Sequence, residues 1–133
     1  EQTGGMNGGV LTYEEMKKRL QTARVYFYTG SQPASYTLNF IEAFMTGIPI
    51  VAIGPELGNS IFKIPLYEIH TLIENGVTGY CLDDPKELKF YTKELMINGA
   101  LAVEISRKAR IKAIELFGKE KIKKDWFDFF KSL

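Results

Sequence analysis

Apolar and polar positions along the chain fall into blocks that alternate between helical and strand spacing. Thr12-Tyr-Glu-Glu15 has the capping-box form, a hydroxyl followed three residues on by a carboxylate, and predicts a helix start. Met16, Leu20 and Ala23 then share one helical face. Val25-Tyr-Phe-Tyr-Thr29 is β-branched and aromatic and is bounded by Gly30, the mark of a strand. After the loop Ser31-Gln-Pro-Ala34, a helix is predicted from Ser35 to Thr46, stopped by Gly47. Pro49-Ile-Val-Ala-Ile53 is a continuous apolar run, as in a strand covered on both faces. Leu66 to Glu74 reads as helix, and Gly79-Tyr-Cys-Leu82 as a short strand. Asp83-Asp-Pro85 opens another helix that runs to about Met96. Two more helices are predicted near Leu101–Phe117 and Lys119–Lys131.

This alternation predicts an α/β fold, a Rossmann-like parallel sheet with flanking helices and right-handed crossovers. Only three or four strands are in view, fewer than a doubly wound domain carries. A sheet this short should expose an apolar edge able to pair with another copy in a homodimer. The chain starts at Glu1 without methionine, and Glu1 to Gly9 looks like a loop entered from upstream. We therefore read residues 1–133 as one partial domain, an incomplete half of a larger protein; a flexible native terminus is the other reading.

The helix predicted from Ser35 draws attention to itself. Leu38, Phe40, Ile41, Phe44 and Met45 cover most of its circumference, which predicts a largely buried helix. Ser35, Asn39, Glu42 and Thr46 form a single polar stripe. The start of the helix offers free backbone N–H groups and the positive end of its dipole, a ready anion site. Ser35, Tyr36 and Thr37 would present those groups, with Glu42 about 10 Å along the same face at ~1.5 Å per residue. A diphosphate at the helix start would bring ribose hydroxyls to Glu42, and an ionised carboxylate only accepts, which suits hydroxyl donors. Read alone, Glu42 fits equally a helix acid satisfied by N–H groups or a lysine, and Ser35 fits a plain N-cap.

Composition narrows the function classes. A formal charge of +1 gives no bulk attraction to nucleic acid. One cysteine, Cys81, rules out an internal disulfide and suits a reducing compartment. One histidine, His70, leaves no material for a His-Cys metal cluster, and no metal site is expected. No apolar run approaches the ~20 residues of a membrane span. A cytoplasmic place is expected, with a peripheral position at the inner membrane face as a variant.

The stretch Gly30-Ser-Gln-Pro-Ala34-Ser-Tyr-Thr-Leu38-Asn-Phe-Ile-Glu42-Ala-Phe-Met-Thr-Gly47-Ile-Pro49-Ile-Val-Ala52 resembles group 1 glycosyltransferases of the GT-B architecture. Their C-terminal half carries a Pro-Ser-x-x-Glu-Gly-Phe-Gly-Leu-x-x-Leu-Glu-Ala-Met-Ala-x-Gly-x-Pro-Val-Val-Ala pattern. Ile73-Glu-Asn-Gly76-Val-Thr-Gly79-Tyr80, Asp83-Asp-Pro85 and Ile105-Ser-Arg-Lys-Ala109-Arg110 are similar to later segments of that half. The resemblance implies the donor-binding C-terminal half of a transferase that moves a sugar from a nucleoside-diphosphate sugar, its substrate, to an acceptor. It implies no cofactor, no obligatory metal and transfer with retention. Glu42 would hold ribose, and the backbone N–H groups of Thr37 and Leu38 would hold diphosphate. The family's donor-sugar glutamate is replaced by Ala34, and its Gly-Phe-Gly by Ser35-Tyr-Thr37. The acceptor site and any catalytic group would belong to an absent N-terminal domain, so no catalytic residue is assigned and this chain alone is expected to be inactive. The alternative is a degenerate, non-catalytic α/β module for assembly or regulation.

Other candidates have two readings each. Cys81 reads as a small core residue, and His70 as a surface or structural histidine rather than a sugar contact. Gly54 and Gly58 allow a ligand to approach the backbone, or only turn the chain. Asp83-Asp84 reads as a helix start rather than a cation site. In the last helix Ile122, Trp126, Phe129 and Phe130 share a face flanked by lysines. That face can lie on an anionic membrane, but packing against the core or the missing half is the preferred expectation.

Overall fold

A computed structural model describes residues 11–30, 34–60 and 66–133. The loop expected over Glu1 to Gly9 and all but Ala34 of the Ser31–Ala34 loop lie outside the described residues. Three strands, β1 (Tyr26–Tyr28), β2 (Ile50–Ile53) and β3 (Tyr80–Leu82), form one parallel sheet in the order β1-β2-β3. Phe27 stands opposite Val51, and Ala52 opposite Cys81. Seven helices complete the described fold: α1 (Tyr13–Thr22), α2 (Leu38–Thr46), α3 (Pro55–Asn59), α4 (Ile69–Leu72), α5 (Pro85–Ile97), α6 (Gly99–Phe117) and α7 (Lys119–Ser132).

Local chemistry explains most boundaries. Thr12 and Glu15 form the capping box at α1: Glu15 N–H donates to the Thr12 hydroxyl at 3.3 Å, and Thr12 N–H donates to the Glu15 carboxylate at 2.8 Å. Asp84 accepts from Lys86 N–H at 2.8 Å ahead of Pro85, and Asn98 accepts from Leu101 N–H at 3.1 Å. Asp84 is thus a helix cap, as read from the sequence. Gly47 ends α2 in the left-handed region with φ 77°. A Cβ there would stand 3.0 Å from the Ser106 carbonyl oxygen, so the glycine also lets α2 and α6 approach closely.

The two faces of the sheet bury separate clusters. On one, Tyr28, Ile50, Ala52 and Cys81 pack with Phe40, Ala43 and Phe44 of α2 and Ala109 and Ala113 of α6. On the other, Val51 and Tyr80 pack with Leu88 and Leu95 of α5 and Ala102 and Ile105 of α6. Phe40 and Phe44 are fully buried, and each contributes about 1.5–3 kcal/mol by leaving water.

Five expectations are corrected. The second helix starts at Leu38 rather than Ser35, because Thr37 is the cap and accepts Phe40 N–H at 3.4 Å. Tyr28 at the end of β1 donates its hydroxyl to the same Thr37 oxygen at 3.3 Å, so tertiary contact selects the cap. The helix is not buried all round: Leu38 is 77% exposed. The helix expected over Leu66–Glu74 shrinks to Ile69–Leu72, because Tyr67 N–H donates to the Asn59 side chain and Glu68 N–H to the Ser35 carbonyl. The short helix α3 opens on Pro55 where no helix was expected. Finally, α7 does not pack on the core, for every residue from 119 to 133 is exposed.

Candidate functional site

In a parallel α/β sheet, ligands gather at the carboxyl ends of the strands. There β1 leads through Gly30 and Ala34–Thr37 into α2, Gly54 follows the end of β2, and Asp83 follows the end of β3. Phe40 and Ile41 N–H both donate to the Thr37 carbonyl, at 3.0 and 3.3 Å. No hydrogen bond among the described residues takes the N–H of Leu38 or Asn39. With the helix beginning at Leu38, these two N–H groups stand in its first turn, and those of Ser35, Tyr36 and Thr37 precede it. Ser35 is half-buried outside the helix, and its carbonyl accepts Glu68 N–H at 3.1 Å. Tyr36, the residue before the cap, packs its ring toward Phe40 at 6.5 Å and Phe117 at 6.1 Å, stapling the entry to the helix. Ala34 lies half-buried in the same loop.

Glu42 is on the next turn of α2 and is half-exposed. It lines a groove of about 400 Å³ between α1 and α2, together with Lys17, Gln21, Met45, Thr46 and Arg110. Glu42 has no hydrogen bond or ion pair among the described residues, so the reading of it as an acid satisfied within its own surroundings finds no partner. Thr46 is satisfied, its hydroxyl donating to the Ala43 carbonyl at 2.7 Å. The Arg110 guanidinium donates to the Met45 carbonyl at the end of α2, where a cation also meets the negative end of the helix dipole. Burial, with smaller contributions from Tyr28 and the charge of Glu42, pushes the Tyr26 hydroxyl above its ordinary range.

Lys17, Gln21 and Arg110 were not singled out in the sequence. Lys17 and Gln21 each follow a residue of the apolar stripe Met16 and Leu20, so they had to border it. Arg110 is 65 positions from Met45, and only the packing of α6 on α2 brings it to the groove.

The glycines after β2 prove to be packing devices. A Cβ on Gly54 would stand 2.4 Å from the Asp83 carboxylate, and one on Gly58 would stand 2.5 Å from the Tyr67 ring. The space they leave is filled by protein. Asp83 accepts Leu57 N–H at 2.9 Å and so holds the start of α3. Cys81 is buried, and desolvation, with a smaller contribution from the Asp83 charge, pushes its thiol up to about 12. Its Sγ donates to the Ile53 carbonyl at 3.2 Å, and the Tyr67 hydroxyl donates to the same oxygen at 2.7 Å. A thiol this hard to ionise is a core residue rather than a nucleophile. His70 is exposed on the surface of α4.

Among the described residues no group of three or more His, Cys, Asp or Glu side chains could hold a metal ion. No helix among them is long and apolar enough to cross a membrane. In comparisons with known proteins, no family model, no curated protein and no solved structure matches this chain.

Proposed function

We propose that the chain is the donor-binding half of a GT-B-type glycosyltransferase and binds a nucleoside-diphosphate sugar along α2. The observation that carries this reading is Glu42, a carboxylate without a protein partner among the described residues, beside a groove of about 400 Å³. Leu38 and Glu42 are four residues apart, about 6 Å along the helix at ~1.5 Å per residue. Side chains lean toward the helix N-terminus, so Glu42 reaches back toward the Leu38 and Asn39 N–H groups. A diphosphate at those donors leaves ribose hydroxyls facing an acceptor-only carboxylate. The resemblance in the sequence supplies the sugar; the exposed side chain of Leu38 and the loop at Ala34 would border it.

A second reading is a non-catalytic α/β module for assembly or regulation. Ala34 favours it, since the resembled family has a glutamate at that position. Both readings meet one experiment, the melting temperature of the chain titrated with UDP, GDP, ADP and dTDP. A ligand bound only by the folded state stabilises it by about 2.7 kcal/mol at a hundredfold excess over Kd. Under the first reading one nucleotide raises the melting temperature and Glu42→Gln removes most of the rise. A folded chain that none of the four stabilises would sink it.

A further inference from the structure

The nucleotide groove does not involve α7. The helix has α6 as its principal neighbour and leaves all its own side chains in water, including Trp126 at 57% and Phe130 at 64% exposure. Ile122, Trp126, Phe129 and Phe130 fall within about 100° of the helix circumference at 3.6 residues per turn. Trp126 stacks on Phe130 at 5.6 Å, and Phe129 meets both rings edge-on, so the aromatic face is a single block.

Charge decides what fits that block. The helix carries five lysines against Glu120, Asp125 and Asp128, a balance of +2. Asp125 and Asp128 are each paired within the helix, to Lys121 and to Lys124. Lys119, Lys123 and Lys131 stand outside those pairs. Lys123 borders the aromatic face beside Phe130, Lys119 sits at its N-terminal end, and Lys131 lies over the Phe127 ring at 4.5 Å. A second copy would bring two helices of the same positive balance face to face, an arrangement that charge opposes. A negatively charged lipid surface meets the lysines with phosphate and the rings with acyl chain, which is how interfacial helices bind.

We propose that α7 is a membrane-surface anchor that lies on anionic phospholipid, with Trp126, Phe129 and Phe130 at the headgroup boundary and Lys119 and Lys123 on lipid phosphates. The chain contains one tryptophan, so its fluorescence reports on this helix alone. The full chain is titrated with phosphatidylcholine vesicles with and without phosphatidylglycerol, following Trp126 emission and co-sedimentation. The expected result is a blue shift and pelleting with the anionic vesicles only, weakened by salt as a screened charge contact must be. Lys119→Glu with Lys123→Glu should lower the vesicle-bound fraction by about tenfold or more, as two attractive charges become repulsive. Phe129→Ser with Phe130→Ser should abolish the pelleting; both rings are exposed, so an unchanged melting temperature confirms that the fold survives. No shift with anionic vesicles overturns the proposal. So does equal binding to neutral vesicles, and so does a blue shift that grows with protein concentration in the absence of lipid, which would assign the face to a second copy.

Discussion

Asn75 and Cys81 exchange two hydrogen bonds across the outer edge of the sheet. The Asn75 side chain accepts Cys81 N–H at 2.6 Å and donates to the Cys81 carbonyl at 3.2 Å. A side-chain amide thus does the work of a neighbouring strand, and the free edge of β3 is closed. The opposite edge differs. At β1, Phe27 is 46% exposed and faces away from the α2 side of the sheet. Asn75→Ala strips the buried Cys81 backbone of its partner and should cost about 1–3 kcal/mol. Urea unfolding of the two chains measures that difference, and an unchanged midpoint would show that water replaces the amide.

Gly54→Ala and Gly58→Ala should each destabilise the fold by about 1–3 kcal/mol, because the new methyl meets the Asp83 carboxylate or the Tyr67 ring. If these glycines existed for a ligand instead, the variants would melt like the parent chain and lose only binding. Thermal unfolding without any ligand separates the two outcomes.

Thr37 ties three groups at the start of α2: its own hydroxyl, the Phe40 N–H and the Tyr28 hydroxyl. Thr37→Ala should cost about 1 kcal/mol as an N-cap loss, while Thr37→Ser, which keeps the hydroxyl, should recover most of it. Ser35→Ala at the cap expected from the sequence should shift the urea midpoint far less.

Cys81 gives the fold a measurable alkaline weakness. Its thiol is raised from 9.0 to about 12 by burial, so the native state holds a proton that the unfolded chain releases first. Stability from this group is complete below pH 9.0 and is lost as pH rises toward about 12. Burial also raises the Tyr67 hydroxyl and acts in the same direction. The stability of the parent chain should therefore fall more steeply over that range than that of Cys81→Ala. Below pH 9.0 the native thiol should resist alkylation and react once urea exposes it, whereas rapid labelling of the folded chain would contradict its burial.

Much of the secondary structure was legible because its signals are local. The capping box at Thr12, the αL stop at Gly47 and the Asp84-Pro85 start each need only a few neighbouring backbone groups. The apolar run Ile50–Ile53 announced a covered strand for the same reason: burial on both faces leaves no polar position. Where the reading slipped, a distant group had taken a local one. Thr37 displaced Ser35 as the cap once the Tyr28 hydroxyl reached it, and Asn59 and Ser35 took backbone groups that would have lengthened α4.

The sequence by itself determined the α/β class, the parallel order of its elements and Glu42 as an acid on an apolar helix. Tertiary structure alone decided what stands around that acid. Lys17 and Arg110 come to the groove because apolar faces far apart in the chain bury against one another, and no local rule encodes that meeting. It also decided that Gly54 and Gly58 serve Asp83 and Tyr67, and that the aromatic face of α7 stays in water. Periodicity shows that a face gains by leaving water. Which surface covers it depends on shape and charge assembled from the whole fold.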